Sequence, residues 1–340
     1  MTTLPRSRAT GRITLDDVAR EAGVSPITAS RALRGQRSVD PELIARVQAA
    51  AERLGYVPDP AARALASSRS SHVAVLIPLL SNTLFVDLLE AVHATLLPAG
   101  YQTLIGVTHY DAVEEEQLLK SYMAHRPAGL LVTGFDRSEA SRRLIQASGV
   151  PCVHLMETTD APGVHSVGFS QAAGGQAITD HLLARGRRRV AFVAAQLDPR
   201  VMQRAEGYRR AMRAAGLYDP GLEFLNPARS SMALGAQMFE QIVAARPDID
   251  AMFFCNDDLA QGGLLAALRL KVKVPEQIAV AGFNDLAGSD QMLPALTTVG
   301  TPRSGIGSQA AGMLLRLMRG EPVAQPALDL GFELVLRQSS

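Results

Sequence analysis

The sequence predicts an α/β protein in which a small helical head precedes a larger body of two lobes built on doubly wound parallel sheets. Three observations indicate this fold. Three short amphipathic helical segments fill residues 1–57, and residues 58–72 fit a hinge helix and linker. Over residues 73–340, short apolar runs bounded by turn residues alternate with amphipathic helices in two series of similar length. This alternation is typical of parallel sheets covered by helices on both faces.

The two lobes are assigned from the same alternation. Lobe 1 takes about 73–172 and 302–325, and lobe 2 takes about 173–301 and 326–340. The last helix, near 303–319, and the strands near 327–337 lead back toward the first lobe.

The first two helices of the head are predicted from capping signals in TLDDVAREAGVSPITASRALRG. Thr14 and Asp17 have the spacing of a capping box, and Gly23 permits the backbone conformation that ends a helix. Ser25 caps a second helix with Pro26 in its first turn. This is the sequence form of a helix-turn-helix, although an ordinary helical hairpin with a solvated face would show the same pattern.

A third helix is predicted in SVDPELIARVQAAAERLGYVP, with Asp40 as its cap, Pro41 in its first turn and Gly55 at its end. Three short helices within about 60 residues have the size of a minimal DNA-binding unit. The third helix therefore favours DNA binding over the plain hairpin.

The distribution of charge agrees with a DNA-binding head. Residues 1–72 hold 11 Arg and no Lys against 7 Asp and Glu, a net charge of +4, whereas the whole chain has a net charge of +1. A basic head favours phosphate contacts, although a solvated face would also account for a charge of this size.

The remaining composition indicates a reducing compartment. Cys152 and Cys255 lie in apolar runs and are expected to be free, buried thiols. No run of 18 apolar residues and no signal-peptide region occurs, so we expect a cytoplasmic protein with no membrane contact.

Polar side chains follow the predicted strands, where a cleft between α/β lobes binds small molecules. They are Asn82, His109, Tyr110, Glu157, Asn256 with Asp257, and Asn284 with Asp285. Each could instead cap a helix, and for Asn256 and Asn284 taken alone the cap is the simpler interpretation. Their shared location favours a binding site.

Two arginines indicate the charge of the ligand. The segment DPRVMQR places Arg200 and Arg204 four residues apart, on one face at the start of a helix. A helix N-terminus favours anions, and guanidinium groups suit a carboxylate. Solvated surface arginines are the alternative.

Catalytic and metal-binding motifs have no support in the sequence. The segment GIGSQA, 305–310, matches a degenerate dinucleotide pattern, but too little chain follows it for a βαβ unit, so we expect a closely packed helix start. Walker A, nucleophile-elbow and HExxH motifs do not occur, and the 7 His are scattered. We expect no catalysis, no cofactor and no metal.

The combined segments resemble the LacI/GalR family of bacterial transcription regulators over about residues 13–337. DVAREAGVSPITASRAL followed by AAERLGYVPDPAARALA is a specific signature, and FFCNDDLAQG, VAGFND and LTTVGTP support it. The resemblance implies a body like that of periplasmic binding proteins. IPLLSNTLF, VHLMET, VGFSQAAGG and LDLGFEL look most like the gluconate-type repressors and their 2-ketogluconate-responsive relatives.

The resemblance implies a set of DNA-contacting residues in the head and hinge. They are Thr14, Ser25, Pro26, Ile27, Thr28, Ser30, Arg31, Arg34, Tyr56, Arg63 and Leu65. Pro26 and Ile27 with Thr28 would face base edges, and Leu65 matches the leucine that wedges into the minor groove. Asp59 stands where the family often has Asn.

The residue pattern and the resemblance together give a set of expected effector-binding residues in the body. They are Asn82, Phe85, His109, Met156, Glu157, Phe169, Arg200, Arg204, Asn256 and Asn284. Arg204 matches an arginine that anchors a sugar hydroxyl or acid. Met156 replaces a polar residue of some sugar-binding members, which disfavours a neutral hexose.

We therefore expect a homodimeric repressor, with a tetramer possible, that a sugar acid such as gluconate or 2-ketogluconate releases from a pseudo-palindromic DNA operator. One alternative is a sugar-binding protein of transport type, or a regulator responding to a neutral sugar or sugar phosphate. Another is a sugar-phosphate or nucleotide enzyme. The basic head disfavours the transport protein, and the absence of a catalytic motif disfavours the enzyme.

Overall fold

A computed structural model of the protein describes residues 13–33, 39–57, 70–80 and 83–340. The chain divides into two compact units, Met1–Ser70 and Ser71–Ser340, which correspond to a head and a body. Over the described ranges, no helix combines the length and the apolar composition needed to cross a membrane.

The described residues of the head form three helices: α1 (Leu15–Glu21), α2 (Pro26–Leu33) and α3 (Pro41–Leu54). The predicted capping box is confirmed, because Thr14 accepts a hydrogen bond from the backbone N–H of Asp17, whose carboxylate accepts one from the N–H of Thr14. Ala19 and Ala29 are both buried between the helices. Their small side chains allow α1 and α2 to cross closely.

The body alternates strands and helices in chain order. Its first half contains β1 (His72–Ile77), α4 (Thr83–Leu96), β2 (Gln102–Val107), α5 (Ala112–Ala124), β3 (Gly129–Thr133), α6 (Glu139–Ser148), β4 (Cys152–Met156) and β5 (His165–Gly168). Its second half contains α7 (Gln171–Ala184), β6 (Val190–Ala195), α8 (Pro199–Ala214), β7 (Glu223–Asn226), α9 (Met232–Ala245), β8 (Ala251–Phe254), α10 (Asp257–Leu270), β9 (Ala279–Ala281), β10 (Thr298–Gly300), α11 (Arg303–Met318), β11 (Ala327–Asp329) and β12 (Glu333–Val335).

Two parallel sheets carry the lobes. The first has the strand order β11-β5-β4-β3-β1-β2, and the second has the order β7-β6-β8-β9. Strands β6 and β8 are buried throughout, which explains why both are continuous apolar runs in the sequence. A short antiparallel pair, β10 with β12, accompanies them.

The end of the chain corrects one predicted boundary. The sequence placed 326–340 in lobe 2, but β11 pairs in parallel with β5 in the first sheet. Only the following residues return to the second lobe, where Ser339 bonds to the backbone of Val280 in β9. The expected return of the strands near 327–337 toward the first lobe is confirmed for β11, so the boundary at 326 is what was wrong.

Glycines allow several helices to cross in backbone contact. A Cβ on Gly175 of α7 would lie 2.4 Å from the carbonyl oxygen of Arg204, and one on Gly207 of α8 would lie 2.0 Å from that of Ala172. A Cβ on Gly307 of α11 would similarly meet the backbone of α4. The GIGSQA segment is therefore a closely packed helix start, as predicted.

Both cysteines are free, as predicted, but the predicted burial is confirmed only for Cys255. Cys255 is buried, and Cys152 is half-buried. Burial raises the pKa of each thiol to about 12, so neither is a reactive thiolate at neutral pH.

Candidate functional site

A cleft between the two lobes lies at the carboxyl ends of their strands. The cleft-lining residues come from both lobes and are Leu84, Phe85, Tyr110, Met156, Gln196, Asp198, Arg200, Val201, Arg204, Asn256 and Asn284. This is the location where open α/β sheets bind ligands. Its chemistry depends chiefly on two arginines with different surroundings.

Arg204 lies on α8 and is only 4% exposed. Its Nε donates to Gln171 Oε1 over 2.8 Å, and its Nη1 donates to the carbonyl of Cys255 over 2.6 Å and to Asn256 Oδ1 over 2.7 Å. The guanidinium also stacks 4.0 Å from the ring of Phe283. All these partners are neutral, so they fix the orientation of the group without neutralising its charge.

No carboxylate among the described residues lies within ion-pair distance of Arg204. Burial lowers the pKa of the Arg204 guanidinium, because its charge is removed from water. Its Nη2 donates no hydrogen bond to any residue in the described part of the chain. The cleft thus contains an oriented cation that an anion would complement.

Arg200 lies one helical turn earlier and is already neutralised. Its guanidinium pairs with Asp136 over 2.9 Å, with Glu157 over 3.1 Å and with Asp198 over 3.3 Å. Although burial opposes the charge, Asp198 and Asp136 hold the pKa of Arg200 above its usual value. Arg200 lines the cleft, but it joins the two lobes instead of forming the expected carboxylate-binding pair with Arg204.

The two asparagines at the cleft are coupled to Arg204. Asn256 occupies the N-cap position of α10, yet its side chain makes no capping bond. Its Oδ1 instead accepts from Arg204 and, over 3.0 Å, from Nδ2 of Asn284. The helix-cap alternative is therefore wrong for Asn256.

Asn284 leaves an acceptor without a partner. Its side chain is 1% exposed, and its Oδ1 has no hydrogen-bond partner among the described residues. Because Nδ2 donates to Asn256, Oδ1 is the amide atom of this cleft-lining residue that is left to accept a hydrogen bond from a further donor. A buried, unpaired amide oxygen is costly unless a donor reaches it.

The neighbouring Asp257 supports the second lobe. It accepts hydrogen bonds from the backbone N–H of Leu286 over 2.6 Å and from the hydroxyl of Thr298 over 2.6 Å. Burial raises the pKa of this carboxyl group to about 6.

Apart from His109, the other predicted residues divide into three groups. Phe85 and Met156 line the cleft. Glu157 lies behind it, bonded to Arg200 and to Gln203, and Phe169 packs one layer below, 6.3 Å from the Phe283 ring. Asn82 falls outside the described residues.

His109 is placed differently from the expectation. Its side chain is 44% exposed and bonds to Glu114, away from the cleft. His109 and Tyr110 have φ values of +48° and +61°, and this turn brings the Tyr110 ring beside Arg200, 5.7 Å away. Tyr110 thus occupies the position that the sequence assigned to His109.

In the head, the residues that open α2 are accessible. Pro26 and Ile27 are exposed, with Ile27 at 65%, and Arg31 projects from the same helix into solvent. Ser25 accepts a hydrogen bond from the backbone N–H of Thr28, so it caps α2 as predicted. Exposed apolar groups at the start of a second helix, with an exposed cationic group in its last turn, fit a base-reading surface.

The remaining predicted head residues have other surroundings. Thr14 forms the α1 cap, Ser30 is half-buried, and Tyr56 packs half-buried against the head core. The predicted contacts Arg34, Arg63 and Leu65 lie in segments that the structure does not describe.

Comparisons with known proteins identify both units. Residues 14–59 match the model of bacterial regulatory proteins of the lacI family, and residues 179–340 match a periplasmic binding protein-like domain. The HTH-type transcriptional regulator GntR of Pseudomonas aeruginosa is 58% identical over 98% of this chain and 97% of its own.

The chain belongs to the LacI family.

Solved structures agree with this assignment. The transcription regulator GntR from Chromobacterium violaceum is 51% identical, with a TM-score of 0.78 over 79% of this chain and 99% of its own. A LacI-family regulator from Silicibacter pomeroyi is 34% identical, with a TM-score of 0.90 over 96% and 99%. The predicted family and fold are confirmed, and this LacI-family member is a DNA-binding transcription regulator.

Sequence reasoning missed several residues of this LacI-family cleft. Gln171, Gln196 and Asp198 did not enter the predicted site, although Gln171 orients Arg204 and Asp198 pairs with Arg200. The Asp-Pro start of α8 signals Asp198 as a cap, which it is. Nothing in the sequence near Gln171 indicates a partner 33 residues away.

One pH effect arises beside the cleft. His154 stacks on Phe135 at 4.5 Å and contacts the carbonyl of Gly134, whose turn leads to Asp136. Burial lowers the pKa of His154 from 6.5 to about 4. Below about pH 6.5 the unfolded chain therefore takes up a proton that the folded chain does not, and stability falls toward pH 4.

We expect this histidine to cost about 1–2 kcal/mol of stability between pH 7 and pH 5. His154→Gln, which keeps an N–H donor for Gly134, should reduce the loss, as measured by urea unfolding at both pH values. Asp257 acts in the opposite direction, but it is common to both proteins and cancels in the comparison. An equal loss in the variant would contradict the assignment.

Proposed function

We propose that this LacI-family regulator is a repressor that a small sugar acid releases from operator DNA, with gluconate and 2-ketogluconate as leading effectors. The observation that carries the proposal is Arg204, a buried and oriented guanidinium with no carboxylate partner among the described residues. A ligand carboxylate would complete its charge-assisted hydrogen bonding.

The other polar groups favour a hydroxylated acid. The unpaired Oδ1 of Asn284 requires a donor, which a sugar hydroxyl supplies. Asn256 accepts hydrogen bonds from both Arg204 and the amide of Asn284. A ligand carboxylate on Arg204 and a ligand hydroxyl on Asn284 would therefore lie close together. A polyhydroxy monocarboxylate presents both groups on neighbouring carbons.

The alternatives fit the same groups less well. A neutral sugar would leave the Arg204 charge buried and unpaired, and the apolar Met156 side chain offers no hydrogen bond to an extra hydroxyl. A sugar phosphate would bring more negative charge close to Asp136, Glu157 and Asp198. These three carboxylates already outnumber the single positive charge of Arg200. A monoanion balances the cleft better.

The head supports the DNA-binding half of the proposal. We assign operator contacts to α2 through Pro26, Ile27, Thr28 and Arg31, with 1–57 as the DNA-binding domain, 58–72 as the hinge and 73–340 as the effector and dimerisation domain. A homodimer, or a tetramer built from such dimers, would read a pseudo-palindromic operator through two heads.

A ligand panel tests the effector class. Calorimetry and melting-temperature shifts should show binding of gluconate or 2-ketogluconate and weaker or no binding of 6-phosphogluconate and ribose. Operator DNA selected from a random pool should dissociate when the bound acid is added, as followed by fluorescence anisotropy. Preferential release by ribose would replace the sugar acid with a neutral sugar, and release by 6-phosphogluconate would indicate a sugar-phosphate regulator.

Leu65→Gly should weaken specific binding more than non-specific binding. The family resemblance assigns this leucine to a wedge that acts only where the central base step kinks, and extra contacts then offset the unstacking. The measurement is anisotropy on operator and scrambled DNA at one salt concentration. An equal loss on both DNAs would make Leu65 a plain linker residue.

A further inference from the structure

The backbone that carries Asn284 has an unusual conformation. Asn284 and Asp285 have φ values of +109° and +52°, so two successive residues with side chains occupy the region that favours glycine. Such a turn persists only when surrounding contacts hold it. The backbone N–H of Asn284 donates to the carbonyl of Val299 over 2.8 Å. The carbonyl groups of Asn284 and Asp285 need separate partners.

Arg303, at the start of α11, supplies a partner to each of the two carbonyls, and the Thr301 hydroxyl also donates to that of Asn284 over 3.3 Å. The Nη1 of Arg303 donates to the carbonyl of Asn284, and its Nη2 donates to the carbonyl of Asp285 over 3.2 Å. Its Nε donates to Asp87 Oδ2 over 2.9 Å. One guanidinium, 15% exposed, therefore holds both carbonyls of the strained turn and a carboxylate of the first lobe.

The carboxylate partner lies on a cleft-lining helix. Asp87 belongs to α4, which also provides Leu84 and Phe85 to the cleft. Arg303 thus connects the α4 wall of the cleft to the turn that presents Asn284 on the opposite lobe. A change in the position of α4 relative to this turn would alter the contacts of Arg303.

We infer that Arg303 is a positioning residue for the effector site, which holds the Asn284–Asp285 turn so that Oδ1 of Asn284 faces the cleft and ties that turn to α4. This inference rests on the proposed effector site. Arg303 itself does not line the cleft, so it acts through Asn284.

The test compares Arg303→Met, Arg303→Lys and Arg319→Met in the full-length chain. Arg319 ends the same helix, is 59% exposed and pairs only with Glu321 among the described residues, so its variant controls for the loss of one guanidinium. Hydrogen–deuterium exchange of the 283–289 peptide without ligand reports the turn. Calorimetry with gluconate and with 2-ketogluconate reports the site, and thermal unfolding reports global stability.

In Arg303→Met we expect at least tenfold faster exchange in the 283–289 peptide and at least tenfold weaker binding of the acid that the unmodified chain binds. Arg303→Lys should recover binding to within about threefold, because an ammonium can still reach a carbonyl. Arg319→Met should match the unmodified chain in both measurements. If Arg303→Met does not fold, Arg303→Lys alone should still show faster exchange than Arg319→Met.

Unchanged exchange in both Arg303 variants would overturn the inference, as would an equal effect in Arg319→Met. If the unmodified chain binds neither acid, the proposed effector is wrong. The exchange measurement, which needs no ligand, still decides whether Arg303 holds the turn.

Discussion

Arg204→Met is expected to give a protein that binds operator DNA but no longer responds to gluconate or 2-ketogluconate. Methionine keeps much of the aliphatic bulk on α8 and removes the three hydrogen bonds to Gln171, Cys255 and Asn256. Truncating one partner of a buried charged contact typically costs 2–5 kcal/mol of binding free energy, so affinity should fall about 30-fold or more. Without bound effector, nothing shifts the equilibrium away from the DNA-binding state, and operator release should not occur.

Titration calorimetry with both acids and anisotropy on selected operator DNA provide the measurement. Arg210→Met is the matched control, since Arg210 lies on the same helix, is 57% exposed and pairs at 3.6 Å with Glu206. It should bind effector and release DNA normally. Effector affinity in Arg204→Met equal to that of the unmodified chain would show that the anion is held elsewhere in the cleft.

Arg31→Ala is expected to abolish operator binding while leaving effector affinity unchanged. The side chain is exposed on α2, so its removal should not disturb the head core of Ala29 and Ala32. An arginine contact to a base is worth about 1–3 kcal/mol, and a dimer loses it in both half-sites. The combined loss should bring operator affinity close to that for unrelated DNA.

Anisotropy at several salt concentrations distinguishes the kind of contact. Loss of a phosphate contact lowers the salt slope by about 1 per head, whereas loss of a base contact relaxes sequence preference. Arg53→Ala removes the same charge from α3, where Arg53 pairs with Glu21, and should reduce affinity only slightly. Operator affinity in Arg31→Ala equal to that in Arg53→Ala would remove Arg31 from the interface.

The fold could be predicted because its signals are local. Capping boxes, helix-ending glycines and apolar runs depend on residues a few positions apart, and these predicted most helices and buried strands. Strands such as β5 and β7 give no such signal, because HSVG and EFLN are short and contain no apolar run. The sheet that β11 joins depends on a partner about 160 residues away.

The sequence indicated many residues of the candidate site, but it did not indicate what each residue does there. Arg200 and Arg204 look equivalent in the sequence, and the difference between them comes from carboxylates 43 and 64 residues distant from Arg200. Tyr110 lines the cleft and His109 does not, because of two backbone φ angles that the composition of the segment does not indicate. Contacts between distant segments therefore decide that Arg200 is paired with carboxylates and that Arg204 is not.

The backbone contact between α7 and α8 limits how the effector preference of this scaffold can be redesigned. Mutant libraries can vary Met156 or Leu84, because each side chain lines the cleft. Gly175 and Gly207 should stay fixed, since any larger residue would push apart the helices that bring Gln171 to Arg204. A biosensor built on this chain would therefore draw its new specificities from the cleft walls and keep the two crossing glycines in every clone.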